Sequence, residues 1–141
     1  MRVDFYVLSE ASVPARLTVA CRIAEKAYLA SQSVLIWHSD RAELEALDER
    51  LWTFADTSFV PHEWLGGPEA PVMLGTEPPA GAVEVLINLG LSAEPPPFLE
   101  RVARVAEIID GEPLRRDAGR ARFKAYRQLG LSPGTHNLQA P

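Results

Sequence analysis

β-Forming segments of five to seven residues alternate with helical segments along this chain. The β-forming segments Val3–Leu8, Ser33–Trp37 and Val83–Leu89 are rich in β-branched, aromatic and leucine residues. Apolar residues recur at helical spacing from Val13 to Tyr28 and again after Asp40. Because strands that alternate with helices form parallel sheets covered by helices, the pattern predicts a single-domain, three-layer α/β sandwich. Its central sheet is predicted to be largely parallel, in a Rossmann-like arrangement.

The rest of the chain is predicted to extend this sheet. Thr57–Val60 and Val72–Leu74 are short strand candidates, and Val102–Ile109 is interpreted as a strand or as the end of a helix. A long helix is predicted over Glu112–Leu129, with Gly130 as its C-terminal cap. The predicted order of elements is therefore β, α, β, α, β, β, β, α.

Individual residues refine these boundaries. Ser12 and Asp40 are predicted to be the N-caps of the first two helices, because their side chains can accept hydrogen bonds from free backbone N–H groups. Cys21 lies on the apolar face of the first helix, which predicts a buried structural thiol rather than a nucleophile. Residues 132–141 are expected to form a loose C-terminal tail that follows one domain at residues 1–131.

Familiar catalytic and nucleotide-binding motifs are missing from the sequence. It has no G-x-x-x-x-G-K-[ST] loop, no G-x-G-x-x-G turn and no G-x-S-x-G elbow. Its histidines, His38, His62 and His136, are not spaced as a metal motif, and Cys21 is the single cysteine. We therefore predict no enzyme, cofactor or metal, although a catalytic site near His38 and Asp40, at a strand end, stays open as an alternative.

The sequence also lacks the pattern of a membrane segment. Its longest uncharged apolar run, Val85–Ala93, has nine residues and contains Asn88. A membrane helix needs roughly 20 residues. Asp4 and Glu10 interrupt the apolar N-terminus, as a secretory signal would not allow. We expect a cytoplasmic protein.

Charge is distributed unevenly along the chain. Eight basic and seventeen acidic residues precede Glu112, whereas six basic and two acidic residues lie from Glu112 onwards. Arg116, Arg120 and Lys124 are spaced four residues apart in the predicted helix and so form one stripe, beside Phe123. Such a stripe can bind a carboxylate or a phosphate, or it can simply solvate the surface of the helix.

A second cluster of interest is aromatic. Trp52 follows the second predicted helix, and Phe59 lies in the strand candidate after it. Large aromatic residues at such junctions are often part of the core. The alternative is an exposed apolar site that anchors a side chain of a partner protein.

Several motifs together resemble one protein family. They are L-D-E-R-L-W-T-F-A-D-T-S-F-V-P-H at Leu47–His62, R-A-R-F-K-A-Y-R-Q-L-G at Arg120–Gly130, D-F-Y-V-L at Asp4–Leu8, V-L-I at Val34–Ile36 and E-I-I-D at Glu107–Asp110. In this order and spacing they resemble the chi subunit of bacterial DNA polymerase III holoenzyme. The resemblance covers nearly the whole chain.

The resemblance implies a non-catalytic α/β protein that works through partners. Members of the family are accessory proteins of the clamp-loader assembly that pair with the psi subunit and bind the acidic C-terminal tail of single-stranded DNA-binding protein. Contact with DNA is therefore expected to be indirect, and no membrane is involved. No motif marks the surface for psi. The tail-binding residues that the resemblance implies are Trp52, Phe59, Arg116, Arg120, Phe123 and Lys124.

We therefore predict an adaptor that tethers the replicase to coated single-stranded DNA. The alternative is direct binding of single-stranded nucleic acid by the basic C-terminal helix, with Phe123 or Tyr126 stacked on bases. The net charge of −5 argues against that alternative.

Overall fold

The computed structural model describes residues 1–138 as one parallel sheet with helices on both faces. The strands are β1 (Arg2–Leu8), β2 (Val34–Trp37), β3 (His62–Trp64), β4 (Val72–Gly75), β5 (Val83–Asn88), β6 (Val102–Ile109) and β7 (Gly134–Leu138). The helices are α1 (Val13–Leu29), α2 (Arg41–Thr53) and α3 (Pro113–Gln128). Val102–Ile109, which the sequence left between strand and helix, is a strand.

All neighbouring strands run parallel, in the order β3-β4-β2-β5-β6-β1-β7. The predicted three-layer α/β fold is confirmed. Side chains alternate between the two faces: Val34 and Ile36 of β2 point to one core and Leu35 to the other.

The two faces carry different helices. On the first face, buried residues of α1 and α2 share a core with the sheet; this core includes Ala20, Cys21, Leu44 and Leu47. The prediction that Cys21 is buried is confirmed. On the second face, Tyr126 of α3 packs into a separate core. We call these the α1 face and the α3 face.

The predicted helix caps are confirmed. The Ser12 hydroxyl accepts a hydrogen bond from Ala15 N at 3.1 Å, and Asp40 Oδ1 accepts one from Ala42 N at 3.0 Å. Glu112 is the N-cap of α3. At the other end of α3, Gly130 has a φ of +87°, the left-handed conformation that glycine adopts at low cost. No helix among the described residues is long and apolar enough to span a membrane.

The prediction of a strand at Thr57–Val60 is wrong. These residues are loop, and the neighbouring strand β3 begins at His62. Val60 is buried in the core of the α1 face, but it does not pair with a neighbouring strand. Pro61 follows and has no N–H to donate to a neighbouring strand.

The expectation of a loose tail is wrong for Gly134–Leu138, which forms edge strand β7. It pairs in parallel with β1, from Asp4 opposite Gly134 to Leu138 opposite Leu8. His136 fixes this strand: its Nε2 lies 3.1 Å from Asp4 Oδ1, and its ring stacks on Tyr6 with centroids 4.8 Å apart. The last residues of the predicted tail, 139–141, lie outside the described part of the chain.

Candidate partner-binding site

A buried polar network fixes α3 on the sheet. Arg122 Nε donates to Glu107 Oε1 at 3.0 Å, and the Tyr126 hydroxyl donates to Glu107 Oε2 at 2.7 Å. Asn88 Nδ2 donates to the same Oε2 at 2.9 Å. All four residues are buried. Burial, together with the negative charge of Glu107, raises the pKa of Tyr126, so its hydroxyl remains a donor.

A second ion pair joins the start of α3 to the end of β6. Arg115 Nε and NH2 each lie 2.7 Å from an oxygen of Asp110, a two-point contact. Burial opposes ionisation of Asp110, but hydrogen bonds from Arg115 and from the Ser12 N–H outweigh it and lower the pKa of that carboxyl. Two cations of α3, Arg115 and Arg122, are therefore part of the scaffold and not of a binding surface.

The helix lies unusually close to the sheet at Gly119. A Cβ added there would lie 2.1 Å from Ile109 Cδ1, so only glycine fits without displacement of the isoleucine. Because of this close approach, α3 lies next to the C-terminal ends of β1 and β6, with its other face exposed.

A cavity of about 400 Å³ lies beside this contact, and we call it the basic pocket. Its apolar wall includes Phe5, Ile109 and Phe123, and its charged lining consists of Arg116, Arg120 and Asp110, whose carboxylate is paired with Arg115. Phe5 and Phe123 meet edge to face, with ring centroids 5.1 Å apart. The pocket therefore offers an apolar surface next to two guanidinium groups. Three of the six predicted site residues, Arg116, Arg120 and Phe123, are brought together here.

Lys124 is exposed, does not line the basic pocket and lies one turn beyond Arg120 on the same helix. Within residues 1–138, neither Arg120 nor Lys124 makes an ion pair. Arg116 Nε lies 3.4 Å from Asp117 Oδ1, an exposed contact of little energetic weight. These cations are therefore available to an anionic ligand.

Trp52 and Phe59 form a separate exposed cluster, which we call the aromatic patch. Their side chains are 55% and 63% exposed, with ring centroids 5.7 Å apart. The sequence left open whether these two aromatic residues belong to the core or to the surface. The structure shows that both lie at the surface. His62 supports the patch from beneath: its ring lies 4.7 Å from that of Trp52, and its Nε2 lies 2.7 Å from Asp48 Oδ1.

The aromatic patch and the basic pocket are on opposite sides of the sheet. Trp52 belongs to α2, which packs on the α1 face next to β4, whereas the pocket lies between α3 and the opposite end of the sheet. The structure therefore does not bring Trp52 and Phe59 into the same site as Arg120. Sequence reasoning also missed Phe5 and Ile109, which the pairing of β1 with β6 brings under α3, and Gly119 of α3 itself, where the helix approaches Ile109.

The alternative site near His38 is filled by protein contacts. Ligand atoms of His38, Asp40 and Glu43 lie within 4.8 Å of one another, so these residues could in principle hold a metal ion. However, buried Arg16 pairs with Glu43, and His38 Nε2 lies 3.3 Å from the other Glu43 oxygen. The polar contact with His38 and the charge of Arg16 lower the pKa of Glu43, although His38 Nε2 makes no hydrogen bond of normal geometry within residues 1–138. His38, Asp40 and Glu43 line none of five surface cavities of the described chain, among which is the basic pocket.

Comparisons with known proteins identify the family. The family model described as DNA polymerase III chi subunit, HolC, matches residues 1–133. The chain belongs to the DNA polymerase III chi subunit family. A DNA polymerase III subunit chi from Pseudomonas aeruginosa is 45% identical over 139 residues, which cover 97% of this chain and 96% of that protein. The subunit chi of Escherichia coli is 31% identical over 125 residues, 83% of this chain and 82% of the relative.

A third relative, the subunit chi of Haemophilus influenzae, is 24% identical over 138 residues, or 96% of each chain. The predicted family is therefore confirmed. Membership makes this chi subunit an accessory subunit of a replicative DNA polymerase, and not an enzyme in its own right.

Proposed function

We propose that this chi subunit is an adaptor with two partner surfaces: a basic pocket for the acidic C-terminal tail of single-stranded DNA-binding protein, and an aromatic patch for the psi subunit. The tethering of the replicase to coated single-stranded DNA, through psi and the clamp loader, follows from these two contacts. The observation that carries the proposal is the pocket at Arg116, Arg120 and Phe123.

The chemistry of the basic pocket suits the end of an acidic peptide. Two guanidinium groups can hold carboxylates by charge-assisted hydrogen bonds, and the adjoining surface of Phe5, Ile109 and Phe123 can cover one apolar side chain. Lys124, one turn further along α3, can attract acidic residues upstream in the peptide. A peptide that terminates in a carboxylate and an aromatic ring would use all of these features.

The aromatic patch suits a folded protein partner. Trp52 and Phe59 expose large apolar rings, and aromatic side chains of this kind often dominate the binding energy at protein interfaces. Because the patch is separated from the basic pocket by the sheet, it supports a second partner rather than a second part of the tail site. The proposal thus departs from the resemblance, which grouped Trp52 and Phe59 with the tail-binding cations.

Two simultaneous contacts explain how weak binding of the tail can still tether the replicase to coated DNA. A short peptide buries little surface, so we expect a dissociation constant of roughly micromolar order for the tail. If psi holds the subunit in the holoenzyme, the tail contact becomes one of several linked contacts, and its effective concentration rises. Direct binding of nucleic acid is less favoured, because the chain as a whole carries a net charge of −5.

The test is fluorescence anisotropy with a labelled peptide of the acidic C-terminal tail, on wild type, Arg120→Glu and Arg127→Glu. Arg127 is an exposed cation of the same helix that does not line the pocket, so it is the matched control. We expect Arg120→Glu to weaken binding at least tenfold and Arg127→Glu to weaken it less than threefold. Equal effects of both variants, or stronger binding of labelled oligothymidylate than of peptide, would contradict the proposal.

Binding of psi is measured separately, by co-purification with Trp52→Ala and Phe59→Ala. Leu29→Ala is the control, because Leu29 is also a large exposed apolar residue but belongs to neither surface. We expect loss of psi with retention of the tail peptide. Loss of the peptide in these variants would instead support the single site that the resemblance implied.

A further inference from the structure

A second apolar groove with cationic edges lies on the α1 face of the sheet, and we call it the α1 groove. Its volume is about 410 Å³, close to the 400 Å³ of the basic pocket. Its floor includes Tyr6 of β1, Ile23 and Ala27 of α1, and Leu138 of β7. It exists because α1 packs over β2, β5 and β6, and leaves the α1 face of β1 and β7 without a helix.

Among residues 1–138, three cations and no acidic residue line the α1 groove. Arg22 and Lys26 are exposed and lie four residues apart on α1, so their side chains project from one side of the helix. Neither makes an ion pair within residues 1–138. Arg104 is half-buried, with its Nε 3.2 Å from Asp4 Oδ2. The two exposed cations are thus unneutralised, although the chain before Glu112 is strongly acidic overall.

The α1 groove and the basic pocket share one construction. Each has an apolar floor, and each has two cations spaced four residues apart on the helix that borders it: Arg22 and Lys26 in one, Arg116 and Arg120 in the other. Strand β1 separates them, because Phe5 points into the pocket and Tyr6 into the groove. The two sites thus offer a ligand similar chemistry, although Asp110 also lines the basic pocket and Arg104 also lines the groove.

We propose that the α1 groove binds a second acidic peptide, of the same chemistry as the tail assigned to the basic pocket, so that one subunit holds two such tails on opposite faces of β1. This inference rests on the proposed function, because the ligand chemistry is taken from the basic pocket. Bivalent binding suits a partner that presents several identical tails, since the second tail binds at high effective concentration. A nucleic-acid strand is a poorer occupant, because the affinity for a strand depends on the number of phosphates contacted, and the groove offers only two cations without an ion pair, Arg22 and Lys26.

The test is the number of tail peptides bound per subunit, measured by isothermal titration calorimetry and native mass spectrometry. The variants are Lys26→Glu and Arg120→Glu, with Arg127→Glu as the control. Lys26 and Arg127 are the basic residues in the last turns of α1 and α3, so charge reversal has the same cost at the helix terminus in both. Circular dichroism establishes that each variant is folded.

We expect two peptides on wild type and on Arg127→Glu, one on each of Lys26→Glu and Arg120→Glu, and none on the double variant. One peptide on wild type, lost in Arg120→Glu and kept in Lys26→Glu, would overturn the second site and leave the proposed function intact. No peptide on wild type would overturn both. Binding of labelled oligothymidylate that depends on Lys26, without peptide binding there, would assign the groove to nucleic acid and overturn the proposal.

Discussion

Arg122 and Glu107 form an ion pair buried between α3 and the sheet, with 3.0 Å between Nε and Oε1. The pair determines which face of α3 is turned inwards. Because Arg120 precedes Arg122 by two positions, about 200° around the helix, the inward position of Arg122 leaves Arg120 on the outer side, next to the basic pocket. A buried charge pair thus orients the exposed cations that line the basic pocket.

Replacement of Arg122 by alanine is expected to destabilise the protein by about 3–5 kcal/mol, because it leaves the Glu107 carboxylate buried without its cation. Urea denaturation followed by circular dichroism measures the change. Arg127→Ala is the control, since Arg127 is exposed and makes no ion pair within residues 1–138. A loss below about 1 kcal/mol, as for a surface pair, would contradict the role assigned to Arg122.

Gly119→Ala tests the close approach of α3 to β6. Alanine favours the helix by about 1 kcal/mol, but its Cβ would lie 2.1 Å from Ile109 Cδ1, and overpacking of this kind costs about 1–3 kcal/mol. We expect net destabilisation and weaker binding of the tail peptide, since both residues line the basic pocket.

The double variant Gly119→Ala with Ile109→Val is the control for this steric argument. Valine lacks the Cδ1 atom that lies nearest to the added Cβ, but its Cγ1 would still lie 2.9 Å away, so it should restore part of the stability that the single variant loses. Melting temperatures of the two variants and of Ile109→Val alone provide the comparison. Additive losses in the double variant would contradict the steric argument.

Thiol reactivity reports on the core of the α1 face. Burial raises the pKa of Cys21 to about 12, so the reactive thiolate is scarce at neutral pH and the sulfur is also shielded from reagents. We expect Cys21 to react with Ellman's reagent only as the protein unfolds, at least a hundredfold more slowly in buffer than in 6 M guanidinium chloride. Rapid labelling of the folded protein would show that α1 opens readily.

The sequence predicts most of the sheet because its central strands are apolar on both faces. Val34, Leu35 and Ile36 are all buried, and only a strand covered on both sides uses such a run. Strand β7 could not be found this way, since Gly-Thr-His-Asn-Leu carries no apolar alternation. It forms because β1 offers an open edge and because His136 meets Asp4, which lies 132 residues away.

The candidate site was predictable only in part, for a related reason. Spacing places Arg116, Arg120 and Lys124 on one stripe, but it cannot distinguish them from Arg122, whose partner Glu107 lies on another element. The resemblance implied that Trp52 and Phe59 bind the acidic tail together with the cations of α3, but it did not give the distance between these aromatic residues and α3. The aromatic residues lie apart from α3 because α2 and α3 cover opposite faces of the sheet. Which face a helix covers is determined by the crossover connections between strands and not by any local sequence pattern.

The contact between Asp4 and His136 makes the attachment of β7 dependent on pH. Burial opposes ionisation of Asp4, but hydrogen bonds from His136 and Arg104 and the charge of Arg2 outweigh it and lower the pKa of the carboxyl below 3.8. A carboxyl whose pKa is depressed by folding stabilises the protein above its unfolded pKa, near 4, and this stabilisation is lost as the pH falls through the folded value. The free energy of unfolding should therefore decrease below about pH 4.

Asp4→Asn removes this ionisable group and should reduce that decrease. Urea denaturation between pH 3 and pH 7, compared with wild type, measures the difference. Asp117→Asn is the matched control, because Asp117 is an exposed carboxyl that lies 3.4 Å from Arg116 Nε at the surface of α3. Hydrogen exchange of the β7 amides should accelerate in Asp4→Asn at neutral pH, since His136 loses its carboxylate partner. Identical pH profiles for wild type and Asp4→Asn would show that β7 is held by its backbone ladder alone.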